Sequence, residues 1–349
     1  MSGNAHSGRE TSSSGGSAGP RPPDDSALIE AILRGQPAAT PQREAPEAAL
    51  QPTGLVSAPP PAAPHRVFRL PSFGDVVVSS YTGRSYRIQN MIGEGSFSYV
   101  FGAIDSWRNL CAVKILKPNG ATYEQVSQAA LHEVGNLFSC RHPHITYVYD
   151  AFEYNDAFYI VSERCGFPVA DLLKPPFVDH PDVWAQPLAR CLLHALEFLH
   201  SIGYVHQDVH LNNVFVHLAK SEIAPQAQGN VTFKLGDLGL AKPVGNLNPA
   251  NTILADWMLP PEYLDAQFGT MDHRMDLYHV GLVLLQLLTG KPLKLTREQV
   301  LAGIPRQMAE QLLHPLGPPV AVALRRHVDA RPASAFAFWQ LIEAAMPLP

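Results

Sequence analysis

Tyr204-Val-His-Gln-Asp-Val-His-Leu-Asn-Asn213 is the stretch that decides how this chain is read. It is short and polar, and it follows a long amphipathic helical pattern. Asp208 can accept a proton, Asn213 follows it, and Gly236-Asp-Leu-Gly239 places a second acid beyond a strand pattern. An acid, an amide and another acid in that order can hold a hydroxyl nucleophile and a divalent cation beside a polyphosphate. The chain upstream should then bind a nucleotide, and the chain downstream should support the site.

Upstream, Asp75-Val-Val-Val-Ser-Ser-Tyr, a Thr-Gly-Arg turn and Ser85-Tyr-Arg-Ile-Gln-Asn-Met-Ile-Gly93 predict a hairpin. It runs into Gly93-Glu-Gly-Ser-Phe-Ser-Tyr-Val100, whose glycines let backbone approach phosphates without a Cβ clash. The next strand, Leu110-Cys-Ala-Val-Lys-Ile-Leu116, sets Lys114 among apolar neighbours, where an unpaired ammonium is costly. A helical pattern over 123–138 carries Glu133 on its apolar face, and that acid is the natural partner of Lys114. Strands are expected over 145–152 and 157–161. A helix should then start at His180-Pro-Asp, bury Trp184, Leu188, Cys191, Leu192, Ala195 and Leu199, and end at Gly203.

The chain has 349 residues, 46% of them hydrophobic, enough for a sizeable core. A net charge of −5 gives no basic surface excess, so no nucleic-acid partner is expected. Cys111, Cys140, Cys165 and Cys191 show no metal-type spacing and read as buried thiols in a reducing compartment. No segment approaches the roughly 20 apolar residues of a membrane span, so a soluble, cytoplasmic protein without a membrane partner is expected. Residues 1–65 are rich in Ser, Gly, Pro and Ala and read as a disordered tail. Within it, Ser26–Gly35 aligns Leu28, Ile29, Ile32 and Leu33 as either a docking helix or a transient turn.

Residues 86–346 resemble a protein kinase domain of the eukaryotic-type serine/threonine class. The motifs stand in the family's order: IGEGSFSYV, AVK, a helix glutamate, RHPHI, FYIVSE, HQDVHLNN, GDLG, LPPE, DLYHVG and Arg331. The resemblance implies an α+β bilobal fold, with an antiparallel-sheet N-lobe over 86–162 and a mainly helical C-lobe over 166–346. Residues 66–85 would be a hairpin lead-in. It further implies that Ile92, Gly93, Gly95 and Val100 cover ATP, with Val100 and Ala112 sandwiching the adenine. Lys114 would bind the α- and β-phosphates and pair with Glu133, while Glu163 and Cys165 offer main-chain groups to the adenine and Asp171 reaches the ribose. Asp208 would be the catalytic base, and Asn213 and Asp237 would hold Mg²⁺. Glu262 would pair with Arg331, and His206 and Leu238 would stack with Leu137 and Val148.

The chain departs from the family pattern at several positions, with HQD, DLG and PPE in place of the usual motifs. Gln207 replaces an arginine that would hold an activation-segment phosphate, and residues 237–262 contain one hydroxyl amino acid, Thr252. His210 stands where a lysine would face the γ-phosphate, and Ala255 stands where a threonine would contact that lysine. The joint loss reads as a re-tuned site with His210 in a catalytic role, since imidazole still donates a hydrogen bond. Ser162, small before the hinge glutamate, predicts an open pocket behind the adenine. A protein substrate is implied, this chain's own hydroxyls included. Two other readings stay open: an ATP-binding scaffold without transfer, and a small-molecule phosphotransferase.

Overall fold

The computed structural model describes residues 68–347 apart from 96–97, 118–124, 127, 129–134, 136–139, 178, 220–229 and 250–257. The expected tail, its Ser26–Gly35 pattern, Glu133, Leu137, Thr252 and Ala255 lie outside the described residues.

Alternation of buried and exposed side chains builds the first lobe. Strands β1 (Val76–Val78), β2 (Ser85–Glu94), β3 (Ser98–Asp105), β4 (Leu110–Leu116), β5 (Val148–Tyr154) and β6 (Ala157–Glu163) form one antiparallel sheet in the order β1-β2-β3-β4-β6-β5. Val77, Ile88, Phe101, Val113, Ile115 and Val161 fill its core. The rings of Tyr86 and Phe152, and of Phe152 and Tyr159, stack at 6.0 and 5.5 Å between centroids. A buried carboxylate ties the lead-in hairpin to this sheet. Asp150 accepts from Ser79 Oγ, Thr82 Oγ1 and Tyr86 Oη at 3.2, 2.5 and 2.9 Å, which offsets the cost of burying the acid.

The strand expected over 145–152 is shifted. Its pairing with β6 begins at Val148, because the backbone before it is committed elsewhere. Leu235 donates to His144 O at 2.8 Å, Thr146 donates to Leu235 O at 2.9 Å, and Ile145 bridges Leu235 in parallel. Of the helical pattern 123–138, the described residues Gln125, Val126, Gln128 and Gly135 are helical.

The second lobe is mainly helical. Short strands β7 (Phe167–Pro168), β9 (Val214–Ala219) and β10 (Asn230–Leu235) form one small sheet, and β8 (Tyr204–Val205) pairs with β11 (Lys242–Pro243). Helices are α1 (Ala185–Ser201), α2 (Pro261–Leu264), α3 (Arg274–Thr289), α4 (Arg297–Leu301), α5 (Ile304–Glu310), α6 (Gly317–Ala323) and α7 (Ala335–Ala345). On α1, Leu188, Leu192, Ala195 and Leu199 are fully buried, as their spacing predicts. Each such leucine contributes about 1.5–3 kcal/mol. The helix stops where Gly203 takes φ +82°, a left-handed conformation that glycine adopts without a Cβ penalty. Every residue of α3 from Met275 to Leu287 is buried, so this is the central helix of the lobe, against which α1 and α6 pack.

The described part therefore has the bilobal kinase architecture that the resemblance implies: an antiparallel sheet followed by a helical lobe. Among the described residues no helix is long and apolar enough to cross a membrane. All four cysteines are free thiols, but Cys165 is only half-buried where burial was expected, because it sits in the open connection between the lobes.

Candidate active site

The polar loop after β8 is held open by backbone geometry rather than by regular structure. Gln207 takes φ +69°, rare for a residue with a Cβ and a source of strain. That strain is offset by hydrogen bonds. Asp276, at the start of α3 and wholly buried, accepts the N–H of His206 and of Gln207, each at 2.8 Å. Gln207 Nε2 donates to Leu240 O at 2.6 Å, so its side chain is engaged with the segment after Asp237. His206 is fully buried: Nδ1 accepts from the Asp208 N–H at 3.2 Å and Nε2 faces Gly236 O at 3.1 Å.

With the loop so fixed, Asp208, His210 and Asn213 converge. Asn213 Nδ2 donates to Asp208 Oδ2 at 2.7 Å and to Asp208 O at 3.0 Å, which turns the Asn213 amide oxygen the other way. His210 Nδ1 accepts the Asn212 N–H at 3.2 Å. That contact places the ring proton on Nε2, which lies 3.5 Å from Asp208 Oδ2. Burial alone would raise the Asp208 carboxyl, but the His210 hydrogen bond and nearby imidazole charge hold it below the usual carboxylate range.

Asp237 comes from the other side. A Cβ at Gly236 would lie 2.8 Å from Phe215 Cε2, so only glycine lets the chain pass there. Asp237 then takes φ +59°, and its carboxylate accepts from Gly239 N at 3.3 Å and from Lys114 Nζ at 2.9 Å. Burial pushes this carboxyl up, and the Lys114 charge beside it more than reverses that, leaving it lowered. Gly236 N donates to Asn213 O at 2.8 Å, linking the two halves.

Lys114 reaches the site from β4, whose register sets it opposite Val100 on one side and Ile160 on the other. Ala112 is opposite Gly102 and Ser162. Gly93 faces Val100 at the end of the β2–β3 hairpin, next to Ile92, and Gly95 N closes the tip on Ser98 O at 2.9 Å. Asp171 pairs with Lys174 at 2.7 Å. The Glu163 side chain is buried against Lys234 Nζ at 2.8 Å, its N–H donates to Tyr147 O at 2.9 Å, and in the sheet it stands opposite Cys111. The expected Lys114–Glu133 pair and the Leu137 end of the hydrophobic column lie outside the described residues; His206 and Leu238 are both fully buried.

Asp276 entered the sequence reading only as the first residue of DLYHVG, with no role assigned. Its signal was a single acid in the apolar run Met275–Leu288, a position that demands partners. Glu262 and Arg331 do meet, through paired contacts of 2.7 and 2.5 Å between fully buried side chains.

The Asn213 amide and the Asp237 carboxylate offer oxygen donors of the kind a hard divalent cation takes, and the Gly236 N–H to Asn213 O bond links their segments. The chain is 26% identical over 214 residues to a cell cycle serine/threonine-protein kinase of Saccharomyces cerevisiae, covering 60% of this chain and 28% of that protein. It is 30% identical over 209 residues to a probable serine/threonine-protein kinase of Encephalitozoon cuniculi, covering 59% and 36%. A cyclin-dependent kinase of Oryza sativa is 27% identical over 210 residues, covering 60% and 42%. The chain thus spans between 28% and 42% of the length of these relatives. Residues 86–319 match the protein kinase domain family along both lobes, the stretch that carries Lys114, Asp208, Asn213 and Asp237, and the chain belongs to that family of enzymes.

Proposed function

We propose that this chain transfers the γ-phosphoryl group of ATP to serine or threonine hydroxyls of a protein, its own hydroxyls included. One observation carries the reading: Lys114, Asp237, Asn213 and Asp208, from three separate segments, are joined by hydrogen bonds through side chains and one backbone link. The segment after the DLG turn and the HQD and PPE variants belong to the same reading, as does a domain spanning 86–346 behind a 66–85 lead-in. A cytoplasmic setting fits it.

Asp208 orients the substrate hydroxyl and takes its proton as the hydroxyl oxygen bonds to the γ-phosphorus. The bond from that phosphorus to the ADP oxygen breaks, and ADP leaves with the electron pair. Lys114 steadies the α- and β-phosphates, and Asn213 keeps the Asp208 carboxylate aimed. Mg²⁺, held by Asn213 and Asp237, would supply charge neutralisation on the phosphates. Ile92, Gly93, Gly95, Val100 and Ala112 enclose the nucleotide, with the Glu163 carbonyl and the Cys165 main chain toward the adenine. His210 donates Nε2–H toward Asp208, the role a cationic partner would fill.

A second reading, a nucleotide-binding scaffold without transfer, is favoured by the direct Lys114–Asp237 pair, in which the phosphate-binding and metal-holding side chains bond each other. Autophosphorylation with labelled ATP and Mg²⁺, with Asp208→Asn and Lys114→Met alongside, separates the two. Signal in the wild type, lowered about 10²-fold or more in both variants, supports transfer. Nucleotide binding with no wild-type signal supports the scaffold. Phosphoamino-acid analysis of the labelled chain reports which hydroxyl is used.

A further inference from the structure

Three metal-ligating side chains converge where the two lobes join, two of them on residues whose main chain faces the adenine in the proposed function. Glu163 ends β6, Cys165 lies in the connection after it, and His217 is on β9. One donor atom from each, a carboxylate oxygen, the thiol sulfur and a ring nitrogen, lie within 4.8 Å of one another. The convergence has a local cause. Gly166 N donates to Val216 O at 2.8 Å, and a Cβ on Gly166 would come 3.0 Å from that oxygen. Glycine therefore lets the connection lie flat on β9, where Phe167 pairs with Val216 and brings Cys165 beside His217.

We propose that Glu163, Cys165 and His217 form a binding site for a borderline-soft divalent cation of the Zn²⁺ class, bridging the interlobe connection to β9. Thiolate, imidazole and carboxylate together select such an ion over Mg²⁺ or Ca²⁺, which prefer all-oxygen sets. Ligand bonds of roughly 2.0–2.3 Å place donor atoms about 3.3–3.8 Å apart in a tetrahedron, so closure needs side-chain movement of about 1 Å. Three protein ligands leave the fourth position to water.

The neighbouring ammonium does not fill the site. Lys234 Nζ and the Tyr147 N–H both bond Glu163 Oε1, each at 2.8 Å, which leaves Oε2 as the metal ligand. Lys234 is held there by the face of the Tyr147 ring, 4.4 Å from its centroid. His217 is half-buried, which gives an aqueous ion access to the site from the β9 side. On binding, the Cys165 thiol proton passes to solvent and the thiolate takes the metal in its place, with no change of oxidation state.

The test is a Co²⁺ titration of the full chain, followed by displacement with Zn²⁺. The wild type should bind one equivalent with a sulfur-to-cobalt charge-transfer absorption, and Zn²⁺ but not Mg²⁺ should abolish it. Cys165→Ser should remove the band, and His217→Gln should weaken binding about tenfold or more while retaining it. No thiolate band in the wild type overturns the proposal. So does a band of unchanged affinity in His217→Gln, which stays informative if Cys165→Ser fails to fold. The titration uses no nucleotide, so it stands apart from the proposed phosphoryl transfer.

Discussion

Asp276 Oδ1 accepts the backbone N–H of Gln207 at 2.8 Å, fastening a left-handed peptide of the HQD loop to the central helix of the lobe. The other oxygen takes the His206 N–H and faces His200 Nε2 at 2.9 Å. Burial would raise this carboxyl, but the His200 hydrogen bond and charge hold it below the ordinary range. A depressed carboxyl contributes stability that is present above its unfolded pKa and is lost as pH falls through the folded value. Asp276→Asn presents an NH₂ group where an acceptor is required. It should cost about 3 kcal/mol in denaturant unfolding and lower autophosphorylation more than about tenfold in the protein that remains folded. Wild-type activity in a folded Asp276→Asn protein would show that the loop holds its shape unaided.

Arg331 and Glu262 form the second buried anchor. The guanidinium also donates to Arg325 O at 2.8 Å and lies 4.7 Å over the Tyr278 ring. Removing one partner strands the other charge, so Arg331→Leu should destabilise by about 3–5 kcal/mol. The double variant Glu262→Leu, Arg331→Leu should regain part of that loss, measured by urea unfolding. A double variant no better than the single one would place the cost in the lost backbone contacts instead.

How much of this was legible follows from what each feature depends on. The cleft residues were readable because Asp208, Asn213 and Asp237 carry their spacing in the chain itself. The Glu262–Arg331 pair was readable only through resemblance, since 69 positions separate its members. Asp150 was not readable at all: its three hydroxyl donors come from a hairpin that folds back across the sheet, and nothing local to Asp150 announces them. The strand expected from Ile145 was misplaced for a similar reason. Its apolar pattern is real, but Leu235, remote in sequence, takes the backbone first.

Gln207 has its side chain on Leu240 O, so the loop reaches the activation segment without a phosphate. Activation by phosphorylation of that segment is therefore not expected. Thr252→Ala, at the one hydroxyl amino acid of 237–262, should retain at least about half the autophosphorylation rate. Gln207→Arg should not raise it, because the new guanidinium would lose the Leu240 contact and find no phosphate. A tenfold loss in Thr252→Ala would reverse this conclusion.

Acid sensitivity should come from His142. Its ring stacks on Phe198 and meets His194 edge-on, and its buried Nε2 has no hydrogen-bond partner among the described residues. Burial, then the charges of His194, His144 and Lys234, push its pKa down to about 4. The unfolded chain takes this proton near pH ~6.5. The stability tied to a neutral His142 is thus complete above that value and falls as pH drops toward 4. His142→Asn keeps an acceptor for the His144 N–H and removes the titrating ring. Its melting temperature should fall less than the wild type's between about pH 7 and about pH 5; parallel losses would assign the acid sensitivity to other groups.

His210 carries the last prediction. Its Nδ1 is taken by the Asn212 N–H, so a neutral ring can offer Asp208 one proton, on Nε2 at 3.5 Å. A cation in place of the ring would set a full positive charge beside the base and the transferring phosphoryl group. Charge there favours a transition state that spreads negative charge over phosphoryl oxygens. His210→Lys should therefore raise autophosphorylation turnover about twofold or more while keeping KM for ATP within about threefold. Turnover unchanged or lowered in His210→Lys would leave the ring a positioning group for Asp208 alone.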